Sequence, residues 1–139
     1  MSVAVINAGS SSIKLAIYDG ESAPTVLVRG HVDGIGAEAR VRLMDPAGAT
    51  LVDEALDPGV THEQATQMLA QLATGRLGER RIAAIGHRVV HGGPHYAAPM
   101  RVTDALLREL EEFVPLAPLH QPHNLAPIRS IPWSMSRYR

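Results

Sequence analysis

Val3-Ala4-Val5-Ile6-Asn7-Ala8-Gly9-Ser10-Ser11-Ser12-Ile13-Lys14-Leu15-Ala16-Ile17-Tyr18 sets two short apolar runs on either side of a small polar link. The first run, residues 3–7, is rich in β-branched side chains. The second has apolar residues at 13, 15 and 17, the period-two pattern of a strand with one buried face. A link of a few small residues joins strands as an antiparallel hairpin, and Asp19-Gly20 closes the second strand.

The pattern extends outward from this hairpin. Residues 25–32 and 40–44 read as further strands, Asp45-Pro46-Ala47-Gly48 as a turn, and 50–55 as a returning strand. The period then changes. Thr61 stands three residues before Gln64 in a capping-box spacing, and Ala65, Met68, Leu69 and Leu72 recur on one helical face, which predicts a helix over 62–74. Residues 81–90, RIAAIGHRVV, form the next strand candidate and lead into His91-Gly92-Gly93-Pro94. Thr103 is placed to cap a helix with Leu106, Leu107, Leu110 and Phe113 inside. Pro115 and Pro118 end it, and a last short helix starts near Pro122 and runs through Ile128. Strands first, then helices alternating with strands, point to a mixed-sheet α/β domain. Residues 129–139, RSIPWSMSRYR, fit neither strand nor helix and hold the one tryptophan.

Composition excludes several function classes. A chain of 139 residues with 45% hydrophobic and 19% charged side chains can bury a single-domain core. Net charge is −1, and no basic stripe with interleaved aromatics is present, so nucleic acid is not an expected partner. Cysteine is absent, which removes disulfides and thiolate metal sites. No apolar run approaches the roughly 20 residues of a membrane helix, and the first residues lack the charged-then-apolar order of a signal peptide. No membrane partner is expected, and the location expected is cytoplasmic. Of 13 basic side chains, Lys14 alone is lysine.

Three stretches could carry chemistry. In Asn7-Ala8-Gly9-Ser10-Ser11-Ser12-Ile13-Lys14, Gly9 would let the backbone approach a ligand. The serine hydroxyls and amides can donate to phosphate oxygens, Lys14 adds a point charge, and the Asn7 carbonyl suits a hydrated Mg²⁺. This is not the G-x-x-x-x-G-K-[ST] loop that opens a helix, because the lysine falls on a strand; an ordinary serine-rich hairpin turn reads the same way. In Gly86-His87-Arg88-Val89-Val90-His91-Gly92-Gly93, an arginine at a strand end could aim its planar fork at a carboxylate or phosphate. His87, His91 and His95 have a spacing that would suit zinc on a helix; on a strand they lie apart, and structural loop histidines are the plainer reading. In 115–125, PLAPLHQPHNL, prolines would hold His120 on a rigid loop where it could meet developing charge, or the stretch is a connector with incidental histidines.

Taken together, VINAGSSSIKLAIYD at 5–19, IGHRVVHGG at 85–93 and PLAPLHQPHNLAPI at 115–128 resemble the acetate kinase family, which includes propionate kinases. The three occur in family order and cover the chain to about Ile128. The resemblance implies an α/β fold. It is a ribonuclease-H-like lobe of the acetate and sugar kinase, heat-shock chaperone and actin superfamily, with a mixed sheet and flanking helices. Residues 1–128 would form an incomplete N-terminal lobe and 129–139 an atypical tail.

By the same resemblance, Asn7 would help position Mg²⁺, and Ser10, Ser12 and Lys14 would contact nucleotide phosphates. Arg88 would hold the carboxylate or acyl phosphate, and His120 would stabilise the phosphoryl group in flight. Val90 and Leu119 would line the small apolar acyl pocket. The implied reaction is reversible phosphoryl transfer from ATP to acetate or propionate, with Mg²⁺ as cofactor and ATP as co-substrate, in a family that is homodimeric at full length. Family members continue through further motifs not found here. The expectation is therefore a truncated or frame-disrupted product, inactive alone; the alternatives are a non-catalytic nucleotide-binding lobe and a functionless remnant.

Overall fold

The structure is a computed structural model that describes residues 1–89, 98–112, 114–116 and 121–130. Six strands form one sheet: β1 (Ser2–Ala8), β2 (Ile13–Asp19), β3 (Thr25–Asp33), β4 (Arg40–Met44), β5 (Thr50–Ala55) and β6 (Ile82–His87), in the order β5-β4-β3-β2-β1-β6. β1 to β5 form an antiparallel meander, and β6 joins β1 in parallel. That crossover needs a helix, and α1 (His62–Thr74) provides it.

Alternation fixes the faces. Ala4, Ile6 and Ala8 of β1, with Ile13, Leu15 and Ile17 of β2, are all buried against the helices. Val28, Val32, Val41 and Leu43 continue the same face, and Leu69 of α1 packs onto it. α1 approaches so closely that a Cβ on Gly30 would lie 2.7 Å from Leu69 Cδ1. The helix starts where the sequence indicates: Gln64 N donates to Thr61 Oγ1 (3.1 Å), and Thr61 N donates to Gln64 Oε1 (3.0 Å). Its buried side chains are Ala65, Thr66, Leu69, Ala70 and Ala73, whereas Met68 is 37% exposed. Met68 sits at the edge of the stripe, and its flexible side chain covers the rim instead of entering the core.

α2 (Asp104–Glu112) begins with Leu106 N donating to the Thr103 hydroxyl (3.1 Å). A short 3₁₀ turn, Val114–Leu116, stands where proline ends the helix. α3 (Gln121–Ser130) packs on α1, β1 and β6, and shares a second cluster with α2 through Leu106, Leu107, Leu110, Leu125 and Ile128. The fully buried Gln121 donates to Leu110 O (3.1 Å), which locks α3 to α2. α3 reaches two residues past Ile128, and β6 ends at His87, three residues before the expected 90. Phe113 lies outside the described residues. Among the described residues no helix is long and apolar enough to cross a membrane.

The opposite sheet face is open: Val5 is 42% exposed, and no described helix covers it. Its chemistry follows from register. Asn7 pairs with Lys14, Lys14 with His31, His31 with Arg42 and Arg42 with Asp53, so a row of polar residues crosses five strands. Arg40 and Arg42 both bond Asp53.

Two expectations follow. Gly34 has φ +71°, and a methyl there would fall 2.3 Å from the Glu38 carbonyl oxygen, whereas the same position on Gly36 (φ +91°) meets nothing within 4 Å. Gly34→Ala should lose roughly 3 kcal/mol from strain and collision together, against about 1 kcal/mol of strain for Gly36→Ala. Equal shifts in urea midpoint would show that the collision is relieved elsewhere. His87 is pushed down to about 4 by burial, and its Nδ1 has no partner among the described residues. The unfolded chain takes up that proton near the ordinary 6.5 and the folded chain near 4. Stability is therefore whole above 6.5 and falls between those values, by on the order of 2 kcal/mol. Urea midpoints at pH 7.5 and 4.5 check this, and His87→Phe should flatten the difference.

Candidate active site

The candidate residues gather at one end of β1 and β2. Asn7 and Lys14 are register partners on the open face, one residue short of where the hairpin turns. Arg88 follows β6, and its N–H donates to Ile6 O (3.1 Å), so the parallel ladder runs one residue past His87 and sets Arg88 beside Asn7. Lys14 and Arg88 thus flank Asn7 on adjacent strands, two strand spacings or about 10 Å apart.

Both cations are exposed and neither has a carboxylate partner among the described residues, in contrast to Arg40 and Arg42 on Asp53. An unpaired cation costs no broken ion pair when an anion arrives, so this corner could receive one without breaking a contact within the described residues. A shallow hollow of about 260 Å³ lies against Asn7, Lys14, Tyr18, Arg29, His31 and Met44, and Arg88 is not among its lining residues. A larger hollow of about 680 Å³ lies elsewhere, around Leu77, Arg80, Arg81 and Ile82. Ile82 pairs with Ser2 at the start of β1, the end of that strand remote from the turn.

Ser10 and Ser12 sit in the turn itself. Three of the four carbonyls of residues 9–12 are engaged: Gly9 O by His62 Nε2 (3.1 Å), Ser11 O by Ile35 N (3.0 Å) and Ser12 O by Gly9 N (2.8 Å). The Ser10 and Ser11 amides have no acceptor among the described residues. Two amide donors are thus left over in a turn most of whose acceptors are tied back to the protein, the polarity that suits an anion. Gly9 is not held at positive φ, and a Cβ there would make only ordinary contacts with Ser12, the nearest 3.5 Å away. Nothing among the described residues demands glycine there.

Val90, Leu119 and His120 lie outside the described residues, as do His91 and His95 of the zinc reading. Among the described residues no three His, Cys, Asp or Glu side chains converge as a metal site. Sequence reasoning missed Ile35 and the His62 ring. The capping box located the start of α1, but nothing local signals a contact across 53 positions.

Comparison with known proteins agrees with this architecture. Residues 2–138 match the Acetokinase family. Acetate kinase from Nitrobacter hamburgensis is 43% identical over 135 residues, covering 94% of this chain and 33% of that protein. The crystal structure of Porphyromonas gingivalis acetate kinase superposes with a TM-score of 0.80 at 32% identity, over 94% of this chain and 33% of that one. A propionate kinase from Francisella tularensis gives 0.78 at 29% identity, over 93% and 33%. The chain spans about a third of the length of the curated relatives it matches. Its mixed six-stranded sheet with helices is the lobe of the acetate and sugar kinase, chaperone and actin fold found in those neighbours. With the match running over nearly every residue, the chain belongs to the acetokinase family.

Proposed function

We propose that these residues form the phosphate- and carboxylate-holding side of an acetate kinase site, which moves a phosphoryl group between ATP and a short carboxylate, acetate or propionate. The observation that carries this reading is the run Lys14, Asn7, Arg88 on adjacent strands, with both cations unpaired among the described residues, beside a turn with outward amides. Phosphoryl transfer needs alignment and charge neutralisation more than covalent help, and donors with fixed cations supply both.

In this reading Ser10, Ser12 and the turn amides hold nucleotide phosphates, and Lys14 balances their charge. Arg88 holds the carboxylate by its fork, a geometry that lysine does not reproduce. His120, Val90 and Leu119 keep the roles the family resemblance implies, the first at the phosphoryl group and the others at the acyl pocket. Asn7 offers one neutral oxygen, and Lys14 next to it opposes a bare divalent ion, so Mg²⁺ fits as the companion of the nucleotide and not as a resident ion. When bound, Mg²⁺ supplies charge neutralisation at the phosphate oxygens.

Because the relatives are about three times longer, the opposite side of the site is proposed to lie in sequence not represented in these 139 residues. The lobe then binds phosphate without turning over. The tail 129–139 takes no part in this proposal, and a cytoplasmic homodimer remains the expectation for the longer protein.

Calorimetry with Mg·ATP on the 139-residue chain checks the reading. Lys14→Ala should weaken binding roughly tenfold, the loss of one charge-assisted contact. Arg88→Lys should leave Mg·ATP binding unchanged and weaken acetyl phosphate by a similar factor. Acetyl phosphate formation by the chain above its own Lys14→Ala control would overturn the division between two sides. Identical Mg·ATP affinity in wild type and Lys14→Ala would overturn the site.

A further inference from the structure

His62 is the first residue of α1, held in place by the capping box around Thr61 and Gln64, and its own carbonyl accepts the Thr66 hydroxyl at 2.7 Å. The ring is half-buried and reaches back to the serine turn, with Nε2 3.1 Å from Gly9 O. A carbonyl oxygen can only accept, so Nε2 carries the hydrogen. The same ring stacks on His123 of α3, centroids 4.6 Å apart and planes 29° from parallel. His123 lies three residues beyond His120, so one imidazole joins the turn to the helix that carries the second half of the third motif.

The bond has a directional consequence. Gly9 C=O and Ser10 N–H belong to one peptide unit, and a planar trans peptide points them in opposite directions. Tying the oxygen to α1 therefore aims the Ser10 N–H away from α1, where it has no acceptor among the described residues. Donation into the carbonyl also polarises the unit, which makes that N–H a better donor. Ile35 N does the same two peptides further on by taking Ser11 O, the acceptor of the unit whose donor is Ser12 N–H.

We infer that His62 is a positioning residue for polyphosphate: by holding Gly9 O it orients the Ser10 N–H toward a phosphate oxygen. This rests on the phosphate-holding role proposed above for the turn. The ligand class is a polyphosphate, free or carried by a nucleotide. His62 does not touch it.

Nitrogen NMR of the wild-type chain near pH 7.5 should show His62 with Nε2 protonated and Nδ1 bare. A bare Nε2 would set two acceptors against each other and end the inference. Two variants separate donor from ring. His62→Gln keeps a donor near Nε2, and His62→Phe keeps a ring for His123 but donates nothing. Titration with inorganic tripolyphosphate, read at the Ser10 amide, should give an affinity roughly tenfold weaker for His62→Phe and within about threefold of wild type for His62→Gln. The Ser10 amide of the ligand-free chain should shift in His62→Phe and return in His62→Gln. Wild type and His62→Phe binding alike would refute the positioning role and leave the site standing. Wild type failing to bind tripolyphosphate would remove the phosphate role of the turn; the ring tautomer and the ligand-free Ser10 shift would still decide whether His62 orients the peptide.

Discussion

Everything at this site depends on the register between β1 and β2. Ala8 opposite Ile13 and Asn7 opposite Lys14 is the pairing that sends Ala4, Ile6, Ala8, Ile13, Leu15 and Ile17 to the helices and turns Asn7 and Lys14 to the open face. Side chains alternate with a period of two, so a slip of one residue would bury a lysine and expose isoleucines. The core thereby specifies the site. Burying several aliphatic side chains, each worth about 2 kcal/mol, overwhelms any preference of the two polar residues. Asn7 and Lys14 occupy the face they do because their neighbours have no alternative.

The hairpin was legible from residues alone because its signal is local: alternation in two runs with a short link between them. The same holds for the strands at 25–32, 40–44 and 50–55, for the capping box at Thr61, and for the cap at Thr103. What escaped was set by contacts remote in sequence. The extent of β6 was one such feature: its pairing with β1 runs through His87, with one further bond from Arg88 N to Ile6 O, and depends on that partner more than on the propensity of RIAAIGHRVV. Met68 has the spacing of a core residue, yet the stripe on which α1 meets Gly30 is centred on Leu69, which leaves it at the margin. The motif residues Asn7, Lys14 and Arg88 were recognisable by type. Their adjacency required a parallel crossover that carries residue 88 back beside residue 7.

Charge on the open face is divided in a way that composition conceals. A net charge of −1 suggests no attraction for anions, yet the face carries Lys14, Arg29, Arg40, Arg42 and Arg88. Asp53 neutralises part of this on the far edge strand, three strands across from Lys14, by bonding Arg40 and Arg42, and those two guanidiniums hold its carboxyl below the usual range. No such carboxylate stands beside Lys14 or Arg88 among the described residues. The unneutralised charge therefore lies on the β2, β1 and β6 side of the sheet, where a phosphate would also meet the turn amides.

Electrostatics alone would not make the turn selective, since exposed cations attract any anion and are screened by salt. Selectivity requires donors fixed in direction, and that is a property of the peptide units, not of the serine side chains. Four residues containing Gly9 and three serines have little intrinsic stiffness, so their orientation must be imposed from outside. His62 and Ile35 impose it from α1 and from the loop after β3, each by taking the acceptor end of a peptide and leaving the donor end outward. The arrangement links the geometry of the turn to the seating of α1 on β3 through Leu69 and Gly30, a contact between elements that carry no candidate ligand group. A packing change under α1 would then reach the proposed phosphate site through His62 before it altered any residue proposed to touch phosphate.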